Sequence, residues 1–153
     1  MEARIEARIE ALCPGFAARP GSLLLILRGL QQALGCVPPD YVPSIARLTN
    51  LSRAEVHGVI SFYHEFRDRP AGRHTVRICQ AEACQSMGSV QLTAHALKRA
   101  GTGINGTTAD GRLTIEPVYC LGNCACSPAV MIDGDLHGRV SAARFDELIA
   151  ELT

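Results

Sequence analysis

Apolar residues recur at helical spacing through the first part of the chain and at strand spacing through the rest. Ile5, Ile9 and Leu12 stand at i, i+4 and i+7, one stripe of a short amphipathic helix that Pro14 ends. Ser22 is placed to cap a second helix, which runs through a leucine-rich segment to Leu34. Gly35 can supply the left-handed residue at its C-terminus, and Pro38-Pro39 forbids continuation. A third short helix fits Tyr41 to Leu48. The sequence SRAE, Ser52 to Glu55, has the form of a capping box: the Ser oxygen accepts from the Glu55 amide, and the Glu55 carboxylate reaches back. The helix it opens carries Val56, Val59, Ile60 and Tyr63 on one face. RDRPAGR, Arg67 to Arg73, reads as a linker.

Beyond it the period changes. HTVRIC, His74 to Cys79, alternates like a strand and delivers Cys79 at its end. A helix fits Ser86 to Ala100. RLTIEPVYC, Arg112 to Cys120, is a second strand, again with a cysteine at its end. AVMID and LHGRV form a hairpin around Gly134-Asp135, and a last helix runs from about Ser141, its cap, to Leu152. The expectation is an α/β chain: a helical bundle over 1–70, then a small α/β domain over 71–153.

Composition narrows the function classes. Of 153 residues, 47% are apolar and 20% charged, enough to bury a core. Fifteen basic residues balance fifteen acidic ones. That argues against nucleic-acid binding, which needs a basic excess on one face. Trp is absent, which removes the best base-stacking platform. The longest apolar run, Leu23 to Leu27, ends at Arg28, far short of the ~20 residues a membrane span needs. MEARIEARIEAL carries charges of both signs and lacks a signal-peptide core. A cytoplasmic location, with no membrane partner, is expected.

The compartment matters for the cysteines: Cys13, Cys36, Cys79, Cys84, Cys120, Cys124 and Cys126. Reduced thiols clustered in a cytosolic chain point to metal or catalysis before disulfides. CQAEAC gives Cys79 and Cys84 the spacing C-x4-C, and CLGNC gives Cys120 and Cys124 the spacing C-x3-C. If the two strands are parallel neighbours, both loops emerge at one sheet edge and four thiolates converge. Structural zinc usually prefers C-x2-C loops. A [2Fe-2S] cluster is larger, and each of its irons needs two thiolates, which suits wider loops. Gly88 and Gly122 would permit close backbone approach there. A helix from Ser86 would point its positive end at the site. Three readings stay open: an iron-sulfur centre, a zinc-stabilised interaction module, and a thiol-disulfide protein using Cys124 and Cys126 as C-x-C.

C-x4-C followed by C-L-G-x-C, a Pro and a strand resembles the thioredoxin-like [2Fe-2S] ferredoxins, in particular the 24 kDa-type subunit of NADH:quinone oxidoreductase. LQQALGCVPPDYVPSIARLTNLSRAEVHGVISFYHEF is similar to the helical region of that family, so the resemblance covers nearly the whole chain. It implies a thioredoxin-like cluster domain, with Cys79, Cys84, Cys120 and Cys124 as ligands of one [2Fe-2S] cluster and no catalysis on this chain alone. It implies docking of the helical half on an FMN- and NADH-binding flavoprotein subunit. Within the family, CQAEACQSMG most resembles the gamma subunit of NAD-dependent formate dehydrogenase. That likeness implies a molybdenum- or tungsten-containing formate-oxidising subunit in the same complex, with FMN and NAD on partners. Complex I and NAD-reducing hydrogenase offer the equivalent alternative. Cys126 departs from the family pattern and reads as a packed thiol. Cys13 and Cys36 read as buried and inert. Pro128 stands where thioredoxin-like folds carry a cis proline.

Other signals are declined. GTGING, Gly101 to Gly106, matches a dinucleotide loop by letter, but it follows a helix and precedes a strand, the reverse of what that loop requires. His57, His64, His74, His95 and His137 are scattered. Asp133 and Asp135 flank Gly134, which is turn chemistry.

Overall fold

The computed structural model describes residues 2–15 and 21–152. The chain divides into two compact units, Met1–Pro70 and Ala71–Thr153. The first is helical: α1 (Glu2–Leu12), α2 (Leu23–Leu34), α3 (Val42–Thr49) and α4 (Arg53–Phe62). In α2 the leucine run resolves into two faces. Leu23, Ile26, Leu27 and Leu30 are buried, whereas Leu24 and Leu25 are exposed, as a 3.6-residue period requires. Ile9, Ile45 and Val56 complete the same core from α1, α3 and α4.

Several helix ends follow from the local residues. Gly35 adopts φ +75° and its amide bonds Gln31 O, closing α2. The Ser52–Glu55 capping box is present in both directions: Ser52 Oγ accepts from the Glu55 amide at 3.2 Å, and Glu55 Oε2 accepts from the Ser52 amide at 2.8 Å. Other expectations need correction. Ser22 makes no side-chain cap; it is helical and buried, so its hydroxyl is not presented to the first amides of α2. On α1 the buried line runs through Ile9 to Cys13, and Leu12 is exposed, because the core side lies one residue further round the helix. Tyr63 falls after α4, extended and exposed, so the apolar face of that helix stops at Ile60. The expected linker is partly fastened: the Arg67 amide bonds Gln31 Oε1, and Arg67 O accepts from the Val37 amide.

The second unit is a mixed sheet with strand order β2-β3-β1-β4-β5. Its elements are β1 (His74–Cys79), α5 (Glu82–Ser86), α6 (Ser89–Ala100), β2 (Gly106–Thr107), β3 (Leu113–Val118), β4 (Val130–Ile132), β5 (Asp135–His137) and α7 (Ala142–Glu151). β1 and β3 pair in parallel, with Cys79 opposite Val118, and β4 runs antiparallel on the other side of β1. Val76, Ile78, Ile115 and Val130 pack with Leu92, Phe145 and Leu148 to form the core. Ser141 caps α7 by accepting from the Arg144 amide at 3.1 Å.

One expected helix is broken here. Instead of one helix from Ser86, α5 ends at Ser86 and α6 begins at Ser89, separated by Met87 and Gly88. Gly88 has φ +96°, a conformation that leaves the helical path and that glycine adopts without a Cβ penalty. No described helix is long and apolar enough to cross a membrane.

Candidate metal centre

β1 and β3 end at the same sheet edge, and each is followed by cysteines. Cys79 closes β1 and is held by its amide to Ala129 O at 3.1 Å. Cys84 lies in the single turn of α5, so the first expected loop is in fact a loop followed by a helical turn. Cys120 lies just past β3 at φ +136°, a rare conformation for a residue with a side chain and one concentrated at functional sites. Cys124 opens a 3-10 turn that ends at Cys126.

The four thiols come as two pairs. Cys79 and Cys84 are buried and hydrogen-bonded to each other, while Cys120 and Cys124 are exposed and interact in the same way. The charge of Cys84 also reaches Cys124, which links the pairs. Among the described residues, no three His, Cys, Asp or Glu side chains are grouped as one metal ion would need. Two linked pairs suit a centre with two irons, each taking two thiolates.

Donors are aimed at these sulfurs. The Gly122 amide donates to Cys120 Sγ at 3.3 Å. Backbone groups of Ala81 and Leu121 hydrogen-bond the Cys79 sulfur, and that of Ala129 bonds Cys84. Ser127 sits between the loops: Cys84 Sγ donates to Ser127 Oγ at 3.4 Å, and the Ser127 hydroxyl donates to Cys124 O at 2.8 Å. Ala81, Val118, Leu121 and Ala129 surround the first pair with apolar surface. Burial pushes the Cys79 thiol up. Burial also acts on Cys84, but the Ser127 hydroxyl, the Ala129 backbone and the Cys79 thiol outweigh it and hold Cys84 below the ordinary thiol value. Cys124 is raised, chiefly by the charge of Cys120. A pocket of thiols with amide and hydroxyl donors in apolar surroundings is fit to hold anionic sulfur around a cluster.

Cys126 is placed differently. It is half-buried, its carbonyl accepts from the Arg139 amide at 2.7 Å, and its Cβ lies where a side chain on Gly138 would fall. Cys13 and Cys36 are buried singly in the helical unit. The Ser127–Pro128 bond is cis, as Pro128's place in the sequence suggests. Ser127 itself is not among the residues expected from the sequence. Its only signal there is a hydroxyl between the second cysteine loop and Pro128. His74 and His95 pair with Asp133 and Asp146 at 2.6 and 3.0 Å, away from the sulfurs' own hydrogen bonds.

The family model of the thioredoxin-like [2Fe-2S] ferredoxins matches residues 9–153, and the chain belongs to that family. One relative, an NADH-quinone oxidoreductase subunit of Pseudomonas aeruginosa, is 40% identical over 114 residues, covering 74% of this chain and 69% of that protein. The corresponding NADH-quinone oxidoreductase subunit of Escherichia coli is 34% identical over 123 residues, covering 80% and 74%. Among solved structures, NAD+-reducing [NiFe]-hydrogenase in the H2-reduced state superposes with a TM-score of 0.65 at 26% identity. That match covers 92% of this chain but spans only 22% of the hydrogenase chain.

Proposed function

We propose that the chain is a [2Fe-2S] electron-transfer subunit of an NADH-oxidising or NAD-reducing complex, with Cys79, Cys84, Cys120 and Cys124 as the cluster ligands. The observation that carries this reading is the pairing of these thiols at one sheet edge, with backbone donors on their sulfurs. When bound, the cluster supplies one-electron acceptance and release.

The chain's own residues do the rest. Ala81, Val118 and Leu121 keep water from the buried pair, which strengthens every hydrogen bond to sulfur. Cys120 and Cys124 lie at the surface, so an approaching electron partner meets the second loop first. No substrate bond is made or broken on this chain. Catalysis belongs to partners, an FMN- and NADH-binding flavoprotein subunit among them.

The likeness to NADH-quinone oxidoreductase subunits and to NAD+-reducing hydrogenase supports a quinone-oxidoreductase or NAD-reducing-hydrogenase parent complex over the formate dehydrogenase implied by CQAEACQSMG. That motif keeps the formate reading as a second one, with a molybdenum or tungsten subunit as the added partner. The helical unit, 1–70, is proposed as the part that docks on the flavoprotein.

The test isolates the complex through this chain and supplies NADH. Bleaching of the cluster's visible absorption by NADH, only when a flavoprotein is present, is the expected result. A cluster that stays oxidised with the flavoprotein and NADH both present would overturn the reading. Formate-dependent NAD reduction with molybdenum or tungsten in the same preparation would select the second parent complex.

A further inference from the structure

Ser127 bridges the two cysteine loops. It is 7% exposed, and its hydroxyl spans from Cys84 Sγ, 3.4 Å away, to Cys124 O, 2.8 Å away. The first contact reaches the loop that follows β1, and the second reaches the loop that follows β3. With Cys84 as a thiolate ligand, that sulfur has no proton to give. The hydroxyl then becomes the available donor, because it can rotate about its Cβ–Oγ bond. Reduction adds one electron and therefore one negative charge, shared over the sulfurs. A hydrogen bond to sulfur favours the more negative state and raises the potential.

We infer that Ser127 is a positioning residue: its one hydroxyl hydrogen, turned from Cys124 O to the Cys84 sulfur when that sulfur is a thiolate ligand, holds the ligand in place and raises the reduction potential. This rests on the ligand assignment proposed above. The electron comes from the external reductant, and no bond is made or broken.

A second buried serine supplies the control. Ser89 is fully buried, and among the described residues its hydroxyl has no hydrogen-bond partner. Removing it deletes a buried hydroxyl in the same domain without deleting a donor to sulfur.

The experiment is an EPR-monitored redox titration of the cluster-loaded full chain with dithionite, for wild type, Ser127→Ala, Ser127→Thr and Ser89→Ala. Iron content and melting temperature are measured on each. Ser127→Ala is expected to disfavour reduction by about tenfold, a shift of about 59 mV to more negative potential for one electron. Ser127→Thr keeps the hydroxyl and should restore most of it, while Ser89→Ala stays at the wild-type potential. If Ser127→Ala cannot hold a cluster but Ser127→Thr holds one at wild-type potential, the positioning role stands. A wild-type potential in Ser127→Ala, or an equal shift in Ser89→Ala, overturns the inference and leaves the ligand assignment intact. A wild-type chain that holds no [2Fe-2S] cluster overturns both.

Discussion

The two units treat the same residue in opposite ways. In the helical unit, Cys13 and Cys36 stand alone, and burial pushes each thiol up, helped by the negative charge of Glu10 and Asp68 respectively. Nothing there rewards a thiolate. In the sheet unit Cys84 is also buried, yet it is lowered, because hydrogen bonds to its sulfur outweigh the cost of burial. Burial alone makes a cysteine inert. Burial offset by donors leaves Cys84 able to carry a charge. Cys13 and Cys36 lie just past the ends of α1 and α2, where burial and a nearby carboxylate act on the thiol, whereas Cys84, in the turn of α5, has the Ser127 hydroxyl and the Ala129 backbone on its sulfur.

The sharpest way to break the comparison is to change one cysteine in each unit. Cys84→Ser should abolish iron binding. Cys13→Ser should keep full iron content and cost about 1 kcal/mol of stability, since it only replaces a packed thiol with a hydroxyl. Iron analysis and thermal melting read both. Within the second loop, Cys126→Ser should keep the cluster and Cys124→Ser should lose it; the reverse pattern would move the ligand assignment.

A smaller effect separates packing from ligation. Gly138 lies so close to the second loop that a Cβ there would meet Cys126 Cβ at 2.7 Å and Asn123 Nδ2 at 2.8 Å. Gly138→Ala should cost about 1–3 kcal/mol by overpacking and accelerate loss of the cluster to a chelator. Cluster release at the wild-type rate would mean the loop is not braced there.

Caps come next. Ser52→Ala in the helical unit and Ser141→Ala in the sheet unit each remove a hydroxyl that accepts a first-turn amide. Each should cost about 1 kcal/mol, read by denaturant midpoint, with iron content unchanged.

The smallest effect is pH-dependent. Burial works against ionisation of Asp133, but hydrogen bonds from His74 and the Thr75 amide, with the His74 charge, hold its carboxyl below the usual range. Its contribution is therefore present above the unfolded value of about 3.9 and lost as pH falls through the lower folded value. Asp133 is partly exposed, so the gain at neutral pH is at most about 1 kcal/mol. Asp133→Asn should lower the melting temperature at pH 7 and match the wild type at pH 2. A difference that persists in acid would assign the effect to packing.

Much of this is written in the sequence, and the exceptions share a cause. HTVRIC announces β1 because alternation is a local signal, and the Ser52–Glu55 box is complete within four residues. The four thiols that pair at the sheet edge are legible because two strands, each leading into a cysteine loop, need only be parallel neighbours, as β1 and β3 are, although β3 stops at Val118, two residues short of Cys120. The break at Gly88 is hidden because helix-forming residues flank it on both sides and a lone glycine does not reveal its φ. Ser22 misleads because a cap depends on which way the preceding chain arrives. Ser127 is invisible because its partners, Cys84 and Cys124, meet only when the two loops are folded together.

The most direct test of the central claim is an iron and sulfide count on the anaerobically purified full chain, with an EPR spectrum after dithionite reduction. The account predicts about two irons and two sulfides per chain and a rhombic S = 1/2 signal from the reduced cluster. A colourless chain holding one zinc, silent in EPR, would contradict it.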